Sequence, residues 1–195
     1  VEGDTLVKTA RPSWESREGI AGGGYASWGA TANVGGTTSV EVFGIEGQLA
    51  DYENANLVVG GGIALCGVDG PTTNARCAAT SIVVHTGARL TSGSSAGANI
   101  IGGGYAISGN TNVDVAESTN VVVEDGVSLQ KEVVGGGAAF PASNAGGFAQ
   151  EGTASARTGA TSVMLGKGCT VGQNVVGGGR VMNAPHSNVD AASTS

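Results

Sequence analysis

Five glycine triplets recur along this chain, and no other feature limits its fold as strongly. Each triplet follows small or aliphatic residues, and successive triplets begin 38, 42, 33 and 42 residues apart. Self-similarity with a period of roughly 20–50 residues is typical of proteins built from stacked copies of one small unit. The triplets occupy residues 22–24, 60–62, 102–104, 135–137 and 177–179.

A second landmark, a threonine followed by alternating branched apolar residues, lies between the triplets. Four copies begin at Thr38, Thr80, Thr119 and Thr161, and the next triplet follows after 22, 22, 16 and 16 residues. The threonine and the valines or isoleucines occupy every second residue of the segment. This alternation is typical of a strand with one buried face. We therefore predict an inward-facing ladder of threonines.

Two further strands are predicted in each repeat, one at the triplet and a weaker one before the threonine. Three short strands in each of about five repeats predict an all-β fold, a parallel β-solenoid (β-helix) with one coil per repeat. A β-sandwich or a propeller is the less favoured alternative, because propeller blades need four strands and usually carry aromatic signatures. Residues 1–195 are expected to form a single solenoid domain, a fragment of a longer array, because both ends lie inside a repeat.

The triplets themselves have three explanations at this stage. Glycine marks a corner or a close approach of backbone, which is the favoured one. A column of glycines could instead form a smooth strip on which a flat ligand lies. In the third explanation, two solenoids stack through this face.

The composition excludes several classes of function. The net charge is −7 and the pI is about 4.7, which opposes nucleic-acid binding and attachment to anionic membranes. No apolar run reaches the roughly 18 residues that a membrane-spanning helix needs, so no membrane insertion is expected in this segment.

Cysteine positions bear on the compartment. Cys66 and Cys77 bracket a loop insertion, and a disulfide between them would close that loop and fit an extracellular location. The alternative is two thiols that act as small apolar residues. Cys169 is expected to be a buried, solitary thiol, because Ala88 and Val127 occupy its position in sister repeats.

Residues with catalytic chemistry are sparse. His85 lies on the outward phase of a threonine strand and is expected to face solvent, and His186 lies in a polar segment. The acidic residues are dispersed, so a carbohydrate-acting β-helix enzyme, which needs clustered carboxylates, is the alternative rather than the main expectation. No catalytic residue, cofactor or metal site is predicted. Tyr25 and Trp28 are candidates for stacking on sugar rings, so a carbohydrate-binding β-helix protein is the other alternative.

The frame Thr-(Asn/Ser)-Val-x-Val, a glycine, and then Asn-Val-Val-Gly-Gly-Gly is clearest at residues 119–137 and 161–179. It resembles the glycine-triplet repeats of large adhesin-like surface proteins of gut bacteria. The resemblance implies a non-enzymatic, secreted or wall-attached stalk or adhesion module. Its expected partner is a host or cell-wall glycan or protein.

Overall fold

The computed structural model describes residues 2–9, 20–44, 50–53, 57–66, 71–91, 98–107, 110–140, 153–181 and 187–194. All regular structure in these ranges is β-strand, and every strand pair is parallel. The chain winds through four sheets in a fixed order and adds one strand to each sheet per coil. The prediction of a parallel β-solenoid is confirmed.

The long sheet holds the threonine strands. Its members are β1 (Thr5–Thr9), β4 (Thr31–Asn33), β5 (Thr37–Val42), β9 (Thr73–Val84), β13 (Thr111–Val123), β17 (Ala154–Leu165) and β21 (Ser187–Thr194). The threonines align in adjacent coils, in the order Thr5, Thr38, Thr80, Thr119, Thr161 and Thr194.

Three smaller sheets complete each coil. The end sheet contains β6 (Ala50–Glu53), β10 (Ala88–Thr91), β14 (Ser128–Leu129) and β18 (Thr170–Val171). The pre-triplet sheet contains β2 (Ile20–Ala21), β7 (Val58–Val59), β11 (Ala98–Ile101), β15 (Glu132–Val134) and β19 (Val175–Val176). The post-triplet sheet contains β3 (Tyr25–Ser27), β8 (Ile63–Leu65), β12 (Tyr105–Ile107), β16 (Ala138–Phe140) and β20 (Arg180–Val181).

The division of a coil into strands differs in detail from the three short strands expected. The weak strand and the threonine strand are fused in β9, β13 and β17, and only Val34, Gly35 and Gly36 separate β4 from β5. The triplet also separates two strands that belong to different sheets. A short strand after the threonine segment forms the additional end sheet.

A glycine turn connects the long sheet to the end sheet. Gly87, Gly126 and Gly168 have φ of 85°, 73° and 69°, which L-residues with side chains adopt at a cost. The amide of Ala88 donates to the carbonyl of His85 at 3.1 Å across the first of these turns. In these three coils, the glycine that follows the threonine segment is therefore a corner residue.

The triplets are the narrowest part of the coil. A Cβ atom on Gly62 would lie 2.5 Å from the Cβ atom of Ala75, and one on Gly137 would lie 2.6 Å from that of Ala156, both on the long sheet opposite. The triplet backbone thus touches the facing wall and leaves no room for side chains. The triplets at 60–62, 102–104 and 135–137 are buried, so they do not form an exposed strip for a flat ligand.

The narrow region at the triplets, the waist of the coil, divides the interior into two compartments. The wider compartment is filled by Val, Ile and Leu of the long, end and pre-triplet sheets, including Ile82, Leu90 and Ile100. The narrower one lies between the post-triplet sheet and the first half of the long strands and contains mainly alanine, such as Ala64 and Ala106. A third cluster, which includes Val59 and Tyr105, lies on the outer side of the two sheets that flank the triplets.

The buried threonines bridge the waist. The hydroxyl of each donates to the carbonyl of the first glycine in the triplet opposite, at 2.5 Å for Thr38 and Thr80 and at 2.6 Å for Thr119 and Thr161. Thr5 makes the same bond to Gly22 at 2.7 Å. The threonine ladder is inward, as predicted, and its hydroxyls satisfy carbonyls that the turn leaves without a ladder partner.

We expect Thr80→Val to destabilise the fold by about 1–3 kcal/mol, because valine keeps the shape but leaves the buried Gly102 carbonyl without its donor. Urea denaturation followed by circular dichroism measures the change. The matched control is Thr31→Val, on an exposed position of β4, which should stay within about 0.5 kcal/mol of the parent chain. Equal effects in the two variants would contradict the role assigned to the ladder.

Candidate functional site

Tyr25 and Trp28 form the most exposed aromatic pair in the described part of the chain. Tyr25 begins β3 and is 62% exposed, and Trp28 follows that strand and is 67% exposed. Neither ring has a hydrogen bond or a ring contact among the described residues. The two side chains predicted to stack on sugars are therefore accessible on the same short segment.

Trp28 occupies an unusual backbone conformation. It has φ of 51° and is followed by Gly29 with φ of 83°, and no other described residue apart from glycine has a positive φ. The turn is closed by the amide of Ala30, which donates to the Ser27 carbonyl at 3.1 Å. The Gly29 amide donates to the hydroxyl of Thr73 at 2.7 Å and fixes the turn to the neighbouring coil.

A second cluster surrounds His85 at the corner after the long sheet. Its Nδ1 atom lies 2.9 Å from Oε1 of Glu124, and its Nε2 atom lies 3.7 Å from Oε2 of Glu41. The imidazole stacks on Phe43 with centroids 4.2 Å apart, and Lys8 pairs with Glu41 at 3.1 Å. This charge ladder of Lys8, Glu41, His85 and Glu124 crosses successive coils.

The ladder revises one expectation. His85 faces outward, but its side chain is only 25% exposed because Phe43 and Glu124 enclose it. The position was expected to be solvent-facing surface because Phe43, His85, Glu124 and Gly166 occupy it in different repeats, and the acidic partners of His85 are 39 and 44 residues away in the chain. Alignment of the repeats does place Phe43, His85 and Glu124 in one column, and that column was the available signal.

Glu124 is held as a carboxylate. The pKa of Glu124 is lowered, first because the Thr86 amide donates to it at 3.0 Å and also because of His85. An open groove of about 400 Å³ adjoins it and is lined by Glu124, Asp125, Met164 and Leu165 among others. A glycosidase acid needs the opposite, a carboxyl whose pKa is raised. The cluster therefore offers a hydrogen-bond acceptor rather than a proton donor.

A buried ion pair lies beside the last described triplet. Glu132 is 2% exposed, its carboxylate contacts the guanidinium of Arg180, and it accepts a hydrogen bond from the Asn174 amide at 2.7 Å. Burial lowers the pKa of Arg180. The pair joins strands on both sides of the triplet and belongs to the structural frame.

The structure corrects the cysteine interpretation. Cys66 and Cys77 are both buried thiols with no disulfide between them. The Cys66 thiol donates to the Pro71 carbonyl at 3.4 Å, whereas Cys77 packs with Val34 and Val115 on the long sheet. The two residues are in separate packing environments, so bracketing the same loop does not bring the sulfur atoms together. The alternative, two small apolar thiols, fits the structure.

Cys169 also departs from the expectation of full burial. It is half-buried, packs against the wider compartment, and its thiol donates to the Glu124 carbonyl at 2.9 Å.

No metal-binding group of three or more His, Cys, Asp or Glu side chains occurs in the described ranges. The described residues also contain no helix that is long and apolar enough to cross a membrane.

Comparisons with known proteins add no relative. No family model, curated protein or solved structure matches this chain.

Proposed function

We propose that this chain is a non-enzymatic, extracellular structural and adhesion module of a bacterial surface protein. The observation that carries the proposal is the repeated bridge across the waist, in which an inward-facing threonine is hydrogen-bonded to the triplet opposite in five successive coils. A protein that repeats one structural bond along its length fits the role of a stalk better than that of a single reaction centre.

Charges on the long sheet follow the same repetitive plan. Arg76, Asp114 and Arg157 are in register on adjacent strands and alternate in sign. Asn74, Asn112 and Ser155 form a second ladder, with hydrogen bonds of 3.3 Å and 2.6 Å between coils. These polar side chains are distributed along the axis, which favours a structural module over an enzyme with converging carboxylates.

Because Cys66 and Cys77 are free thiols, a disulfide does not support the extracellular assignment, and two other observations support it. They are the resemblance to adhesin-like repeats and the acidic composition, with 9 Lys and Arg residues against 16 Asp and Glu. The partner we propose is a host or cell-wall glycan or protein. The exposed Tyr25 and Trp28 rings favour the carbohydrate-binding alternative over the carbohydrate-acting one.

The test is to incubate the chain with immobilised mucin and with a panel of plant and bacterial polysaccharides. Retained protein and released reducing ends are measured in the same wells. We expect retention on at least one surface and no release of reducing ends. Release that Glu124→Gln abolishes would replace this proposal with the enzyme alternative, and a complete lack of retention would remove the adhesive role.

A further inference from the structure

The turn at Trp28 is energetically unfavourable for the residue it carries. In a turn closed by a hydrogen bond between its first and fourth residues, central positions with positive φ are usually filled by glycine, asparagine or aspartate. Here the first central position is a tryptophan with φ of 51°. A left-handed conformation is costly for a bulky residue and persists only where the surroundings impose it.

Packing of the indole does not explain the placement. The side chain is 67% exposed and makes no described hydrogen bond or ring contact, so it returns little burial energy to the fold. The backbone imposes the conformation, since the Trp28 amide donates to the Leu65 carbonyl at 3.3 Å and Gly29 is anchored on Thr73 at 2.7 Å. The strained turn thus fixes the backbone from which a large flat ring extends into water.

We propose that Trp28, together with the exposed Tyr25 three residues before it in the chain, is a stacking platform for a carbohydrate ring on a preorganised turn. This inference rests on the carbohydrate-binding form of the proposed adhesive function. Aromatic faces contact the apolar face of a pyranose, and a turn whose backbone is fixed before binding loses little backbone entropy when the ligand arrives. Strained backbone conformations that bring no packing benefit are found at ligand-binding positions.

The neighbouring residues favour a sugar over an apolar protein surface. Thr31 and Asn33 follow the turn with exposed hydroxyl and amide groups, and half-buried Ser27 separates the two aromatic residues. An aromatic pair followed by exposed hydroxyl and amide groups, with the exposed Arg76 in register with Asn33 on the neighbouring strand, matches a ligand whose ring faces are apolar and whose rim carries hydroxyls.

The variant Trp28→Asn tests the backbone strain and the ligand binding separately. Asparagine tolerates the left-handed conformation, so the variant should melt about 2–4 °C above the parent chain, while its retention on the surface that retains the parent chain falls about tenfold or more. Tyr25→Ala should weaken retention without raising the melting temperature. Leu6→Ala, which removes a side chain of similar exposure (56%) on β1, should change neither.

The ligand class is tested directly on a Trp14→Phe background, in which Trp28 is the sole tryptophan. Titration with cellohexaose, chitohexaose and mannohexaose is expected to shift Trp28 fluorescence with at least one sugar, and periodate treatment of the mucin layer is expected to abolish retention. Retention that survives periodate would assign the platform to a protein partner and overturn the inference. Retention unchanged in Trp28→Asn, or a lower melting temperature in that variant, would also overturn it and leave the adhesive module intact.

Discussion

Replacing Gly102 with alanine is expected to destabilise the solenoid by more than about 4 kcal/mol, enough to prevent folding of a marginally stable chain. The new Cβ atom would overlap the carbonyl oxygen of Gly135 in the next coil and lie 2.8 Å from Cγ2 of Val121. That carbonyl cannot move aside, because it accepts the Thr119 hydroxyl at 2.6 Å. Urea denaturation and circular dichroism measure the loss.

Gly126→Asn is the matched control. Gly126 is also in a turn, with φ of 73°, but a Cβ atom there would have no neighbour within 4 Å, and asparagine tolerates this conformation. We expect a change within about 1 kcal/mol. If Gly102→Ala were as mild as the control, close approach of backbone would not be the reason for the triplets.

The second large effect is a loss of stability in alkali. Burial raises the pKa of the Cys77 thiol from 9.0 to about 11, with a further contribution from the Asp114 carboxylate, and burial raises the pKa of the Tyr105 phenol from 10.0 to about 12. Both groups are neutral in the fold and ionise first in the unfolded chain. Their contribution to stability is complete below pH 9 and is lost as the pH rises from about 9 to 12.

A difference of two pKa units corresponds to about 3 kcal/mol for each group. Burial lowers the pKa of Lys131, which acts weakly in the opposite direction. Urea midpoints measured from pH 8 to pH 11.5 should fall steeply in the parent chain. In Cys77→Ala/Tyr105→Phe, compared with its own midpoint at pH 8, the fall should be much smaller, and an equally steep fall would show that other groups control the transition.

Local alternation made much of the fold predictable. In Thr80, Ile82 and Val84 the buried phase is visible within five residues, and a parallel solenoid is the simplest way to stack four such segments. The reason why the triplets must be glycine was harder to predict from the sequence. The residues that would clash with a side chain there, such as Ala75, are distant from the triplets in the chain. Sequence alone could favour a close approach but could not name the opposing atoms.

The candidate site shows the same limit. Tyr25 and Trp28 are close in sequence, so their shared location could be predicted, but the positive φ of Trp28 depends on hydrogen bonds to Leu65 and Thr73 in the next coil. The Cys66–Cys77 interpretation failed for a related reason: positions on either side of one loop do not determine which residues each thiol packs against.

The threonine bridges have a mechanical consequence. When a tube is bent or squeezed, its cross-section first becomes oval. Its resistance to further bending falls as the cross-section flattens. Here a hydrogen bond of 2.5–2.7 Å spans the section at its middle in five successive coils, and the backbone on both sides is already in contact. These internal hydrogen bonds keep the cross-section of the solenoid constant under a lateral force. Surface residues would therefore keep their orientation when the solenoid is compressed or stretched.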